Sequence, residues 1–264
     1  MQVRDSHAIV TGGTQGIGLS TARILASRGA RVSLIARDLV RLQEASAAVG
    51  PGTEIASADV TDAAAVTAAI DGLVALQGPC DLLVTAAGAS HPGYVEGLEA
   101  DDFRAQMDLN YFGTLHPIRA VLGSMLDRGR GTIVGISSTA GLVGVFGLGA
   151  YGPSKYAVRG LMDALRAEVG SRGVFVACAF PPDTLTPGFE SENLTKPPET
   201  AAVSAGIKPK LPEEIGAGIV QGIERGRHVI TFDAQTALLA KGGGLVAPLV
   251  YKLMDREVRK TPKP

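Results

Sequence analysis

Six short apolar runs alternate with longer amphipathic or alanine-rich stretches through the first 180 residues, and no other feature restricts the fold as strongly. The runs are His7 to Val10, Arg31 to Ala36, Glu54 to Ala58, Leu82 to Thr85, Thr132 to Ile136 and Val174 to Ala179, with a seventh at Val229 to Phe232. Helical patterns lie at Gly16 to Ser27, Leu39 to Val49, Ala63 to Leu76, Asp101 to Leu126, Tyr151 to Ser171 and Glu213 to Glu224. Strands that are apolar throughout are buried on both faces, and strand–helix alternation supplies the helices that cover them. The expected fold is α/β: a single-domain, doubly wound parallel sheet of about seven strands with helices on both faces. No fixed-period repeat or low-complexity linker divides the chain, so residues 1–233 are read as one domain.

Two regions depart from the alternation. Residues 181–212 are rich in Pro, Thr and Glu and lack helical or strand periodicity, which marks a functional or mobile loop, read here as a substrate lid. Residues 234–264 form an apolar and basic extension, expected to be helical, broken by Lys241 and Gly242-Gly243-Gly244. That break leaves it too short for a straight bilayer span, which needs about 20 apolar residues.

With 45% hydrophobic and 19% charged residues, a chain this long can bury a sizeable core. A net charge of −1 without a basic run argues against binding nucleic acid. Cys80 and Cys178 sit far apart in apolar runs and the four histidines are isolated, so neither a disulfide nor a metal site is expected. Met1-Gln2-Val3-Arg4-Asp5 leads directly into the first strand, so no signal peptide is expected and a reducing, cytoplasmic setting fits.

The segment Val10-Thr11-Gly12-Gly13-Thr14-Gln15-Gly16-Ile17-Gly18 joins the first strand to the first helix. Glycines permit a tight turn there, and N–H groups at the helix start can face a pyrophosphate; a plain turn is the alternative. Further on, Tyr151 and Lys155 stand four apart and share a face if helical, while Ser138 closes the apolar run Thr132 to Ile136. A hydroxyl, a phenol and an ammonium gathered together can deliver a proton to a carbonyl oxygen. Ser137 points away from Ser138 if the strand continues.

The spacing Gly12-x3-Gly16-x-Gly18 resembles that of the short-chain dehydrogenase/reductase family, as do Asn110, Ser138, Tyr151 and Lys155, in register with its Asn–Ser–Tyr–Lys set. The resemblance covers residues 5–190 and implies a Rossmann-type sheet and a nicotinamide cofactor. It implies cofactor contacts from Gly12, Thr14, Gln15, Gly16, Ile17 and Gly18, from Asp59 and Val60 at the adenine, from Ala87 and Gly88, and from Tyr151 and Lys155. Pro181 and Thr184 join them, with Thr184 favoured over Thr186 for the carboxamide. Thr85-Ala86-Ala87-Gly88 departs from the family's Asn-Asn-Ala-Gly. Arg37 stands where an acid would bind the ribose of NAD, and a cation there suits the 2′-phosphate of NADP(H); a surface arginine at a helix entrance is the plain alternative. Asp59 has a plain alternative too, as a helix-cap neighbour. In the implied chemistry Tyr151 donates the proton, Lys155 lowers its pKa, Ser138 steadies the oxygen, and Asn110 holds a water that links Lys155 to solvent. A local helix kink is the other reading of Asn110.

The run Pro181-Pro182-Asp183-Thr184-Leu185-Thr186-Pro187-Gly188-Phe189, followed by Glu190 and Glu192, resembles the 3-ketodihydrosphingosine reductases. These enzymes reduce 3-oxosphinganine to sphinganine in sphingolipid synthesis. A lipid-like ketone bearing an ammonium could meet Asp183, Glu190 or Glu192, with Leu185, Phe189 and Leu194 over its chain; solvated loop charges are the alternative. Other carbonyls (a 3-oxoacyl thioester, a steroid, a retinoid) compete with this substrate, and a non-catalytic NADP(H)-binding scaffold or redox sensor competes with an enzyme. The tail Leu245 to Tyr251, with Lys252, Arg256, Arg259, Lys260 and Lys263, suits weak peripheral contact with an anionic membrane face, or packing on the body or a second subunit. The resemblance also implies a homo-oligomer, a dimer or tetramer.

Overall fold

The computed structural model describes residues 3–205 and 207–261, so Lys263 lies outside the described residues. Strands β1 (His7–Thr11), β2 (Arg31–Ala36), β3 (Glu54–Ser57), β4 (Leu82–Thr85), β5 (Gly131–Ile136), β6 (Val174–Phe180) and β7 (Val229–Thr231) form one sheet in the order β3-β2-β1-β4-β5-β6-β7. Every pairing is parallel. Helices α1 (Gly16–Ser27), α2 (Leu39–Val49), α3 (Ala63–Gln77), α4 (Ala100–Gln106), α5 (Gly113–Asp127) and α6 (Tyr151–Val169) connect the first six strands. The chain then runs through α7 (Pro187–Thr195), α8 (Pro198–Ser204) and α9 (Pro212–Glu224) to β7, and ends in α10 (Ala234–Gly242) and α11 (Ala247–Lys260).

The apolar strands have the burial that their composition demands. Every residue of β1 and β4 is buried. Neighbours along β1 enter opposite layers: Ile9 packs with Ile70, Ile118 and Met162, while Val10 packs with Leu25, Ile219 and Ile223. Winding reverses between β1 and β4, so the loops after these adjacent strands diverge and open a crevice at their carboxyl ends, where doubly wound sheets bind ligands.

Two expectations about local structure need correction. The stretch Asp101 to Leu126 is not one helix, because α4 and α5 are separated by a π-helical turn, Met107–Phe112. Buried polar contacts of Asn110 hold that wider turn, and Pro117, lacking an N–H, cannot donate back into it. Nor are residues 181–212 irregular throughout. Prolines open α7 and α8 at their first turns, where a fixed φ and a missing N–H suit a helix start. The Thr186 hydroxyl caps α7 by accepting from the Phe189 N–H at 3.1 Å. No residue of α7 is buried, so it carries no apolar stripe for periodicity to reveal.

The C-terminal pair bends by 111° about a short turn, and no single helix among the described residues is long and apolar enough to cross a membrane. Helix α11 lies on the body of the protein. Its Tyr251 hydroxyl accepts from the Gly144 N–H at 3.4 Å, and Val246 and Val250 pack against the core layer of α6.

Candidate active site

At the crevice, Gly12 and Gly16 take φ of +66° and +54°, the left-handed region that favours glycine. A Cβ on Gly12 would stand 2.6 Å from the Ala87 backbone, so this glycine lets the β1 turn meet the end of β4. The N-cap Gln15 makes no side-chain capping bond and the first turn of α1 holds no acid. Its N–H groups and partial positive charge are thus left for an anion, which suits the diphosphate of a dinucleotide. Thr14 is half-buried, Gln15 is exposed, and Ile17 reaches the cavity described below.

Arg37 follows β2, with its guanidinium 3.7 Å from the Asp59 carboxylate after β3 and its side chain 75% exposed. Asp59 also accepts from the Thr61 N–H at 2.9 Å and hydroxyl at 2.8 Å, and these bonds hold its carboxyl below the usual range. It therefore serves as a local turn acceptor and as the partner of Arg37. Val60 is buried in the core and its carbonyl accepts from the His116 ring at 3.0 Å, so any cofactor contact there runs through backbone. A second cation, which no sequence spacing singles out, flanks the glycine turn: Arg41 donates to the Gln15 amide oxygen at 3.5 Å.

The four residues expected to do the chemistry come together beside this cradle. Asn110 is fully buried in the π turn. Its Oδ1 accepts from the Ala89 N–H at 3.2 Å, and its Nδ2 reaches the Ala89 carbonyl at 3.1 Å, the Ser154 hydroxyl at 3.0 Å and Gln106 Oε1 at 3.3 Å. It ties the loop after β4 to α6, which satisfies the polar group that a helix interior would otherwise strand. Tyr151 opens α6, and Lys155 lies one turn on with its Nζ 5.7 Å from the Tyr151 ring centre. Nζ donates to the Ile136 carbonyl at 3.0 Å. Ser138, two residues past the end of β5, hydrogen-bonds the Tyr151 phenol, whereas Ser137 donates to the Lys155 backbone carbonyl at 2.8 Å and fixes α6 to the sheet.

The electrostatics differ from expectation. Burial pushes the Tyr151 phenol above its usual range; the Ser138 hydroxyl opposes this, and the charges of Glu192 and Asp183 add to it. Lys155, whose Nζ donates to the Ile136 carbonyl and whose own pKa is brought down to about 8 by burial, does not offset that rise. The buried phenol is thus neutral, a proton donor.

Ser138, Tyr151 and Lys155 line a cavity of about 780 Å³. Pro181, Pro182, Asp183, Thr184 and Thr186 form one wall. The Pro181 carbonyl is pinned by the Thr139 N–H at 3.0 Å and hydroxyl at 3.2 Å. The Thr184 hydroxyl donates to the Pro182 carbonyl at 2.8 Å, while Thr186 lies against Gly16, so Thr186 is the threonine that touches the glycine turn. Asp183, Phe189 and Glu192 line the cavity; Glu190 is exposed and does not. Leu185 and Leu194 are 49% and 86% exposed and do not form an apolar cover. That cover comes from Val143, Val145 and Leu148, from Val203 and Leu239, and from Val250, Leu253 and Met254 of α11. The last three have the spacing of one helix face, a signal present in the sequence.

A short chain dehydrogenase model matches residues 6–197. The chain is 37% identical over 248 residues to the 3-dehydrosphinganine reductase of Danio rerio, spanning 91% of this chain and 75% of that protein. It is 36% identical over 275 residues to the 3-ketodihydrosphingosine reductase of Dictyostelium discoideum, spanning 96% and 82%. The solved structure of levodione reductase matches with a TM-score of 0.81 and 25% identity, over 89% of this chain and 98% of that one. Sheet order, local geometry and sequence identity therefore agree that the chain belongs to the short-chain dehydrogenase/reductase family of NAD(P)(H)-dependent oxidoreductases.

Proposed function

We propose that the protein reduces the ketone of 3-oxosphinganine to sphinganine with NADPH. The observation that carries this reading is the cavity itself. It is lined by the buried Tyr151 phenol with Ser138 and Lys155, by the carboxylates of Asp183 and Glu192, and by a set of apolar side chains that includes Val143, Val145, Leu148 and Leu239. That combination matches a carbonyl with a neighbouring ammonium and a hydrocarbon tail. The relatives named as 3-dehydrosphinganine and 3-ketodihydrosphingosine reductases support it.

In this reading the cofactor supplies hydride to the carbonyl carbon when bound. Tyr151 gives its proton to the carbonyl oxygen, and Ser138 hydrogen-bonds that oxygen and orients it. Lys155, with a pKa near 8, returns a proton to the phenol after turnover and stabilises the transient phenolate. Asn110 holds the loop that carries Ala89 against α6, and thereby the position of Lys155 beside Gly88. The turn Gly12 to Gly18 would hold the diphosphate and Arg37 the 2′-phosphate, exchanging its contact with Asp59 for a more highly charged partner. Thr184 and Thr186 are the hydroxyls available near the carboxamide.

The test is NADPH oxidation with 3-oxosphinganine, measured beside a 3-oxoacyl thioester and a steroid ketone. The expected result is a kcat/KM for the sphingoid ketone at least tenfold above the others. Preference for either competitor moves the assignment to that substrate, and no turnover of any ketone returns the protein to a binding role.

A further inference from the structure

The lid segment carries four acids; Glu199 is buried and accepts from the Tyr94 hydroxyl at 2.6 Å, and the fold separates the other three. Glu190 is exposed outside the cavity. Glu192 lines the cavity but is already neutralised: Lys196 Nζ lies 2.8 Å from its Oε1, with the two side chains only 5% and 14% exposed for lysine and glutamate. The same ammonium sits 4.7 Å from the Phe189 ring centre, which fixes it further. Asp183 lines the cavity as well and makes no ion pair at bonding distance among the described residues. Its backbone is held on both sides by Lys210, whose N–H donates to the Asp183 carbonyl at 2.8 Å and whose carbonyl accepts from Leu185 at 2.9 Å. The backbone that carries this half-buried carboxylate is therefore fixed, and no cation closes a salt bridge with it among the described residues.

Its position relative to the chemistry matters as much as its charge. Asp183 and Glu192 line the same cavity as Tyr151, where a carbonyl oxygen would be protonated, and the charge of each raises the phenol's pKa. An amino group on the carbon next to the carbonyl lies within two bonds of the reacting centre. Burial raises the Asp183 pKa, Glu192 adds to this and Lys196 opposes it, as befits a carboxyl awaiting a further cation.

We infer that Asp183 is the specificity-determining residue for a ketone carrying a primary ammonium on the adjacent carbon, and that the Glu192–Lys196 pair is a positioning pair that removes the second acid from competition. This inference rests on the ketone-reducing reading of the cavity, and its test separates the two.

Steady-state kinetics would compare 3-oxosphinganine with 1-hydroxyoctadecan-3-one, the same ketone without the amine. For Asp183→Asn, the amino-ketone to plain-ketone ratio of kcat/KM should fall at least about 10-fold, through KM, because truncating one partner of a buried charge pair is costly. Asp183→Glu should restore part of the ratio, and Glu192→Gln should move it less than threefold. Equal loss on both ketones for Asp183→Asn, or a selective loss only with Glu192→Gln, overturns the assignment. Binding of hexadecylamine against hexadecanol reads the same site without turnover. If the wild type reduces neither ketone, the reaction is wrong, yet Asp183→Asn must still weaken the amine at least about 10-fold relative to the alcohol. Equal amine affinity in both proteins ends the proposal whatever the kinetics show.

Discussion

Gly88 lies so close to Asn110 that a Cβ built on it would stand 2.7 Å from the Asn110 Oδ1, and 3.2 Å from the Lys155 Nζ. Asn110 cannot retreat, since its amide is bonded to Ala89 and Ser154. Gly88→Ala should therefore act as overpacking, costing about 1–3 kcal/mol, and should displace the lysine. The expected outcome is a melting temperature lower by several degrees and a kcat reduced at least tenfold. A variant with unchanged turnover would separate Asn110 and Lys155 from the chemistry.

Tyr151→Phe removes the proton donor and the Ser138 interaction while keeping the ring beside Lys155. Turnover should fall by three orders of magnitude or more, with NADPH affinity, read by fluorescence titration, changed less than threefold. Substantial residual activity would mean that the proton comes from elsewhere.

Some of this was open to reading in the chain alone, for identifiable reasons. The spacing of Ser138, Tyr151 and Lys155 is set by a strand end and a helix start, both local. Alternation of Ile9 and Val10 between two layers follows from the pleat of one strand. The π turn around Asn110 is different, because contacts to Ala89 and Ser154, distant in sequence, hold it. No composition distinguishes Asp183 from Glu190; only the fold shows which faces the cavity and which faces solvent. The four-residue spacing predicts a Tyr151 phenol acidified by its lysine, yet burial, a property of the whole fold, outweighs that neighbour.

Arg37 is 75% exposed and 3.7 Å from Asp59, so it is free to trade one anionic partner for another. Arg37→Asp should raise the KM for NADPH at least tenfold and leave the KM for NADH within threefold, measured with the same ketone. Equal losses with both cofactors would remove Arg37 from 2′-phosphate recognition.

The outer side of the C-terminal helices carries Leu245 and Leu249, 93% and 62% exposed, beside Lys252, Arg256, Arg259 and Lys260. The opposite side of α11 roofs the cavity with Val250 and Met254. Exposed leucines with neighbouring cations suit an anionic lipid surface. Co-sedimentation with vesicles containing anionic lipid is expected at low salt, falling at high salt and with a Leu245→Asp/Leu249→Asp double variant. Failure to bind such vesicles at low salt rejects the contact.

Lys155 gives the clearest pH dependence. Its pKa is brought from 10.5 down to about 8 by burial. Below pH 8 folding buries an ammonium, and the full desolvation cost is present. Between about pH 8 and 10.5 the unfolded chain holds the proton that the folded one has lost, so native stability rises with pH across that window. Lys155→Met removes the cost but leaves the Ile136 carbonyl without its donor, so the net gain at pH 7 should be about 1–3 kcal/mol. The cofactor-free variant should melt a few degrees above wild type at pH 7, with the gap closing as pH rises from 8 to 10.5, while turnover falls at least a hundredfold. A variant that melts lower at pH 7, or a gap indifferent to pH, would show that the buried ammonium is not what costs this fold stability.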